Sequence, residues 1–127
     1  MKIGFIGLGN MATAMIGGIL GKGLYSKEDI IGADKLQVTA EAAKEKFGIE
    51  IAANNGEAAK SADILFLAVK PIFLQEVIEE IKDVIRKETL VVSIAAGKDL
   101  KFYETIFNRP ELKLIRCMPN TPALVLE

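Results

Sequence analysis

The sequence contains no histidine and only one cysteine, Cys117. Without histidine, the usual His-based metal centres and the Ser-His and Cys-His nucleophile pairs are excluded. One cysteine cannot close an internal disulfide, which suits a reduced, cytoplasmic setting. Neither sign of charge dominates, since 16 Lys and Arg stand against 17 Asp and Glu. A chain without a basic stripe cannot neutralise a phosphate backbone, so nucleic acid is not an expected partner. Long apolar runs are missing too. The opening "MKIGFIGLGNMATAMIGGILG" has the lysine and apolar residues of a signal peptide or anchor. Asn10 and repeated glycines nevertheless break it well short of the ~18 apolar residues a membrane span needs, and no membrane partner is expected. What is present is 127 residues, 50% hydrophobic and 26% charged, the ordinary composition of one globular domain.

Along the chain, short β-rich runs alternate with stretches of helical period. Strands are expected over 2–7, 29–34, 49–52, 63–69, 89–97 and 112–118, and helices over about 11–22, 38–47, 56–61 and 99–107. After Pro71, Leu74, Val77, Ile78, Ile81 and Ile85 recur at spacings of three and four, which predicts a further helix with Glu76, Glu79 and Glu80 on its wet side. No internal repeat or low-complexity linker marks a second domain. The runs "DILFLAV" and "TLVVSIAAG" are almost unbroken apolar, as in strands buried on both faces. The expected fold is therefore α/β: a doubly wound, Rossmann-type parallel sheet with helices on both faces. Such sheets bind ligands at the carboxyl ends of their strands.

Four polar or small-residue tips fall at those ends. "GLGNMA", Gly7 to Ala12, matches G-x-G-x-x-A between a strand and a helix. Gly7 permits the tight turn, Gly9 leaves room for a pyrophosphate, and Ala12 lets the helix pack closely on the strand. The amides of Asn10 and Met11 would face the phosphates at the favourable end of the helix dipole. Asp34, about 20 residues beyond Ala12, is placed to accept from the adenosine ribose hydroxyls, which favours NAD unless Lys35 offsets the charge on a 2′-phosphate. A helix cap is the other reading of Asp34. "AVKP", Ala68 to Pro71, ends the next strand with Lys70 biased toward extended backbone by the following proline; it also reads as a plain connector. "SIAAG", Ser93 to Gly97, ends in small residues that admit a flat ring or fill a crowded sheet edge. In "MPNTP", Met118 to Pro122, two prolines fix an extended loop with Asn120 and Thr121 pre-positioned for binding.

Taken together, "IGFIGLGNMATAMIGG", "LFLAVKP", "VVSIAAG" and "IRCMPNTPALV" closely resemble the N-terminal part of Δ1-pyrroline-5-carboxylate reductase, in order and over essentially the whole chain. The last motif is far more specific than the first. The resemblance implies reduction of a cyclic imine to L-proline by NADPH or NADH, the last step of proline biosynthesis. By the same resemblance Gly7, Leu8, Gly9, Asn10, Met11 and Ala12 would hold the pyrophosphate, with Asp34, Lys35 and Asn55 near the adenosine ribose or its phosphate. Ala68, Val69, Lys70 and Pro71, with Ala95, Ala96 and Gly97, would line the cofactor toward its nicotinamide. Met118, Pro119, Asn120 and Thr121 would border the reaction centre. Family members often carry a small polar residue where Asp34 stands, which leaves cofactor preference open. They also continue into a mostly helical domain that forms a homo-oligomer and grips the substrate. These 127 residues are accordingly expected to be the dinucleotide-binding domain alone, binding cofactor weakly and not turning over the imine. No residue is assigned as catalytic. Two other readings stay open: a related Rossmann oxidoreductase, of the β-hydroxyacid dehydrogenase or F420-dependent NADP reductase type, and a non-catalytic nucleotide-binding module.

Overall fold

In a computed structural model of the chain, residues 1–95 and 98–117 are described. Six strands, β1 (Ile3–Ile6), β2 (Ile30–Ala33), β3 (Glu50–Ile51), β4 (Ile64–Leu67), β5 (Leu90–Ser93) and β6 (Lys113–Arg116), form one sheet in the order β3-β2-β1-β4-β5-β6. Every pairing is parallel. The expected α/β, Rossmann-type architecture is thus observed.

Five α-helices make the crossovers: α1 (Asn10–Gly21), α2 (Gln37–Phe47), α3 (Asn55–Ser61), α4 (Leu74–Ile81) and α5 (Leu100–Phe107). Alternation along the strands assigns them to faces, because successive side chains point to opposite sides of a sheet. Ile3 and Phe5 pack with Ala12 and Ile16 of α1 and with Ala40 and Ala43 of α2. Ile6, Leu65, Leu67 and Val91 pack instead with Ala59 of α3, the apolar face of α4, and Tyr103 and Phe107 of α5. On α4 the predicted stripe is realised, with Leu74, Val77, Ile78 and Ile81 all buried. Each such side chain contributes about 1.5–3 kcal/mol relative to an exposed one.

The strands are shorter than the apolar runs. Each ladder ends where the chain turns away, and the remaining apolar residues, such as Ile94 and Ala95, are buried as packing rather than as strand. Pro71 starts a 3-10 turn over Pro71–Phe73 and α4 begins only at Leu74, while Lys70 before it is extended (φ −62°, ψ 148°), as a residue preceding proline should be. A second 3-10 turn, Lys27–Asp29, had no periodic signal; it is held by a reciprocal Ser26–Asp29 capping box.

Candidate dinucleotide-binding cleft

The carboxyl ends of the strands stand in a row. Gly7 N–H donates to Ala33 O, Ala68 N–H to Ile6 O, Ile94 N–H to Leu67 O and Cys117 N–H to Ser93 O, at 2.8–3.1 Å. The residues leaving β2, β1, β4, β5 and β6 therefore emerge side by side. Met118 to Thr121, with Ala96 and Gly97, lie outside the described residues; Cys117, just before the first group, sits beside the end of β5.

Two glycines of the first loop serve different ends. Gly7 has φ +96°, and a Cβ there would lie 2.7 Å from the Ala68 carbonyl oxygen, so both backbone conformation and close approach to β4 require glycine. Gly9 has nothing within 4 Å of where its Cβ would be. It is the N-cap of α1, brings no capping side chain, and is followed by a first turn without an acidic residue. By contrast, Asn54 caps α3 through the Glu57 amide and Asp99 caps α5 through the Phe102 amide. The first-turn amides of α1, Asn10 to Ala12, are the unpaired donors and positive dipole end of a helix start, and no side chain at Gly9 covers them, although Asn10 and Met11 do not line the neighbouring cleft. That is the geometry of an anion site, and it fits a pyrophosphate. Ala12 and Leu8 face the core; the Leu8 side chain lies where a Cβ on Gly32 would be, 2.8 Å from one of its methyls. The glycine at the centre of β2 is explained by that contact.

Asp34 ties the tips together. Its Oδ2 accepts from the Leu8 amide at 2.9 Å and its Oδ1 from the Leu36 amide at 2.9 Å. It is not the N-cap of α2, a position taken by Leu36. The carboxylate instead joins the glycine loop to the start of α2, and each oxygen keeps a further lone pair for a hydroxyl donor.

A cleft of about 470 Å³ runs past these groups, lined by Gly7, Gly9, Asp34, Lys35, Asn55, Ala68, Val69 and Lys70 from the expected set. That volume is ordinary for a small-molecule site. Pro71 is exposed and outside the lining, and the Ala95 side chain packs into the core on the α3–α5 face rather than toward the cleft. The sequence reading missed Phe73, Glu76 and Glu80, which also line it. Lys35 Nζ lies 4.6 Å from the Phe73 ring centroid, and Asn55 Nδ2 donates to Glu80 Oε1 at 2.9 Å, so both contacts join cleft-lining residues of different crossovers. The i, i+4 spacing of Glu76 and Glu80 was the available signal, for it puts both on one side of α4. Among the described residues no group of acidic, cysteine or histidine side chains is placed to hold a metal ion, and no helix is long and apolar enough to cross a membrane.

The family model described as NADP oxidoreductase coenzyme F420-dependent matches residues 2–97, the strands and helices that carry this cleft. The chain belongs to that family. Over nearly its full length the chain is also similar to pyrroline-5-carboxylate reductases. It is 43% identical over 124 residues to the Escherichia coli K12 enzyme of that name, covering 98% of the chain and 46% of the relative. The structure of a pyrroline-5-carboxylate reductase from Coxiella burnetii superposes with a TM-score of 0.89 at 35% identity, covering 98% of this chain and 46% of that one. The Plasmodium falciparum pyrroline carboxylate reductase, solved with NADP bound, gives 0.81 at 32% identity, covering 100% and 45%. The chain thus spans about half the length of these relatives.

Proposed function

We propose that this chain is the dinucleotide-binding domain of a pyrroline-5-carboxylate reductase, an enzyme that reduces 1-pyrroline-5-carboxylate to L-proline with NADPH or NADH. The observation that carries the reading is similarity to enzymes of that name over 98% of the chain, well beyond the 2–97 matched by the family model. The reduced nicotinamide supplies a hydride for the C=N carbon of the cyclic imine. The amides opening α1 hold the pyrophosphate in the space left by Gly9, and Asp34 accepts from the adenosine ribose. Lys35 and Asn55 border that ribose, while Ala68, Val69 and Lys70 flank the cofactor on its way to the nicotinamide. Pro71 and Ala95 shape the backbone there; Ala96, Gly97 and Met118 to Thr121, outside the described residues, remain candidates for the nicotinamide end on the family resemblance alone. The domain's contribution is orientation, which converts a bimolecular encounter into a reaction between held groups. Substrate grip and homo-oligomer formation belong to a helical domain beyond these residues, in a cytoplasmic enzyme.

The family match favours one other reading, F420-dependent NADP reduction. Steady-state assays separate the two. The 127-residue chain, and the same chain with any downstream sequence of its reading frame, are offered NADPH with the imine or with F420. The longer chain is expected to form L-proline, and the 127 residues to bind coenzyme weakly without turnover. Normal proline formation by the 127 residues would sink the half-site assignment, and F420 chemistry without imine reduction would sink the substrate assignment.

A further inference from the structure

We propose that the ribose end of this cleft selects NADH over NADPH, and that Glu80 of α4 shares with Asp34 the rejection of a 2′-phosphate. The inference rests on the dinucleotide reading above, and it departs from the family's NADP label and from the NADP bound by the Plasmodium relative. A second cavity of about 400 Å³ adjoins the cleft, and the two share Asp34, Lys35, Asn55 and Glu80. The acidic residue after the second strand of such folds receives the ribose hydroxyls, so this junction is where a 2′-substituent would lie.

The two carboxylates at the junction are held to different degrees, Asp34 by two backbone amides and the exposed Glu80 by one side chain. Asp34 is held through each oxygen by a backbone amide, of Leu8 and of Leu36, so it cannot swing aside without opening the glycine loop or the start of α2. Glu80 is held by Asn55, which commits that amide nitrogen to a carboxylate instead of leaving it free for a phosphate. Among the described residues Lys35 is the one cation lining both cavities, and its ammonium lies over the Phe73 ring. Lys70 lines the first cavity alone, and among the described residues no arginine lines either. Arginine is the usual host of the 2′-phosphate in NADP enzymes. A phosphate carrying roughly −1.5 to −2 charge would therefore meet two carboxylates, one of them anchored by backbone amides, against one ammonium resting on the Phe73 ring. A ribose with free hydroxyls meets acceptors.

Parallel titrations of the 127-residue chain with NADH and NADPH test this, read by the emission of the reduced nicotinamide. NADH is expected to bind about tenfold more tightly, a difference of about 1.4 kcal/mol. The ratio should shrink as salt rises from low ionic strength, because the penalty is Coulombic. Asp34→Asn, which can accept from only one of the Leu8 and Leu36 amides, should lose NADH affinity and narrow the ratio, and Glu80→Gln, which keeps an acceptor for Asn55, should shift the ratio toward NADPH about threefold. NADPH binding as tight as NADH would overturn the selectivity alone. A ratio indifferent to Glu80→Gln would overturn the role of Glu80, and no binding of either coenzyme would overturn the dinucleotide reading beneath it.

Discussion

Alanine in place of Gly7 and of Gly9 should separate folding from binding within one loop. At Gly7 the backbone sits at φ +96° and a new methyl would lie 2.7 Å from the Ala68 carbonyl oxygen. Relief by backbone movement is blocked on both sides, since Gly7 N–H bonds Ala33 and Ala68 N–H bonds Ile6. Left-handed backbone costs a non-glycine residue about 1–2 kcal/mol, and overpacking about 1–3 kcal/mol, so Gly7→Ala should lose about 2–5 kcal/mol. With about 3–6 °C lost per kcal/mol in a domain of this size, Tm should fall by about 6–30 °C. Gly9 is the opposite case. Its φ of −80° and ψ of −163° suit any residue, and its Cβ direction is open. Alanine at an N-cap costs about 1 kcal/mol, which the restricted unfolded chain offsets by about 0.4–1 kcal/mol. Gly9→Ala should keep its Tm within a few degrees and yet lose coenzyme affinity by about tenfold or more, because the methyl fills the space before the α1 amides. Thermal unfolding and coenzyme titration of both variants are the assay. A Gly9→Ala protein that unfolds, or that binds coenzyme normally, would refute the division of labour between the two glycines.

Two further outcomes follow from groups away from the cleft. Tyr103 and Ser93 share a buried hydroxyl–hydroxyl hydrogen bond of 2.6 Å beside the end of β5. Tyr103→Phe should cost about 1 kcal/mol, because Ser93 Oγ keeps the Ala95 N–H as a partner, and Ser93→Ala should cost more by stranding both that amide and the Tyr103 hydroxyl; thermal unfolding of the two variants measures the order. Asp63 is held below its ordinary value of 3.8, first by the Lys2 backbone N–H and then by Arg86. Its stabilisation is complete above that ordinary value and is lost as pH falls through the lower folded value. Asp63→Asn should be less stable at neutral pH and should converge with the wild type in acid; denaturant curves that stay parallel from pH 7 down to pH 2 would contradict the linkage.

Most of the scaffold was legible from the chain because periodicity reports burial directly. "DILFLAV" had to be a strand covered on both sides, and Leu74 to Ile81 had to present one apolar stripe. Strand ends were less legible: apolar residues such as Ile94 continue to be buried after the ladder stops, so hydrophobicity overstates strand length. In the cleft, Gly7, Gly9 and Asp34 stood out because conformational demands and charge at a strand tip leave a signature in residue type. Phe73 left none, and Glu80 left only its i, i+4 spacing from Glu76, for their roles depend on Lys35 and Asn55 of other crossovers. The wet side of α4 was expected as solvated surface, and part of it forms the cleft wall. Asp34 illustrates a further limit: ribose acceptor and helix cap were rival readings, whereas its two oxygens bridge loop and helix while keeping room for a hydroxyl.

Strand β1 pairs with β2 on one side and with β4 on the other, Ile6 lying opposite both Ala33 and Leu67. A chain emerging from the ribosome therefore has no finished glycine loop until Leu67 and Ala68 have emerged and docked, although the loop itself emerged long before. Pairings so distant in sequence form late, since their closure entropy must be met before any contact rewards it. Coenzyme can then act on folding only as a latch, capturing chains whose fourth strand is already in place, and never as a template for the first three.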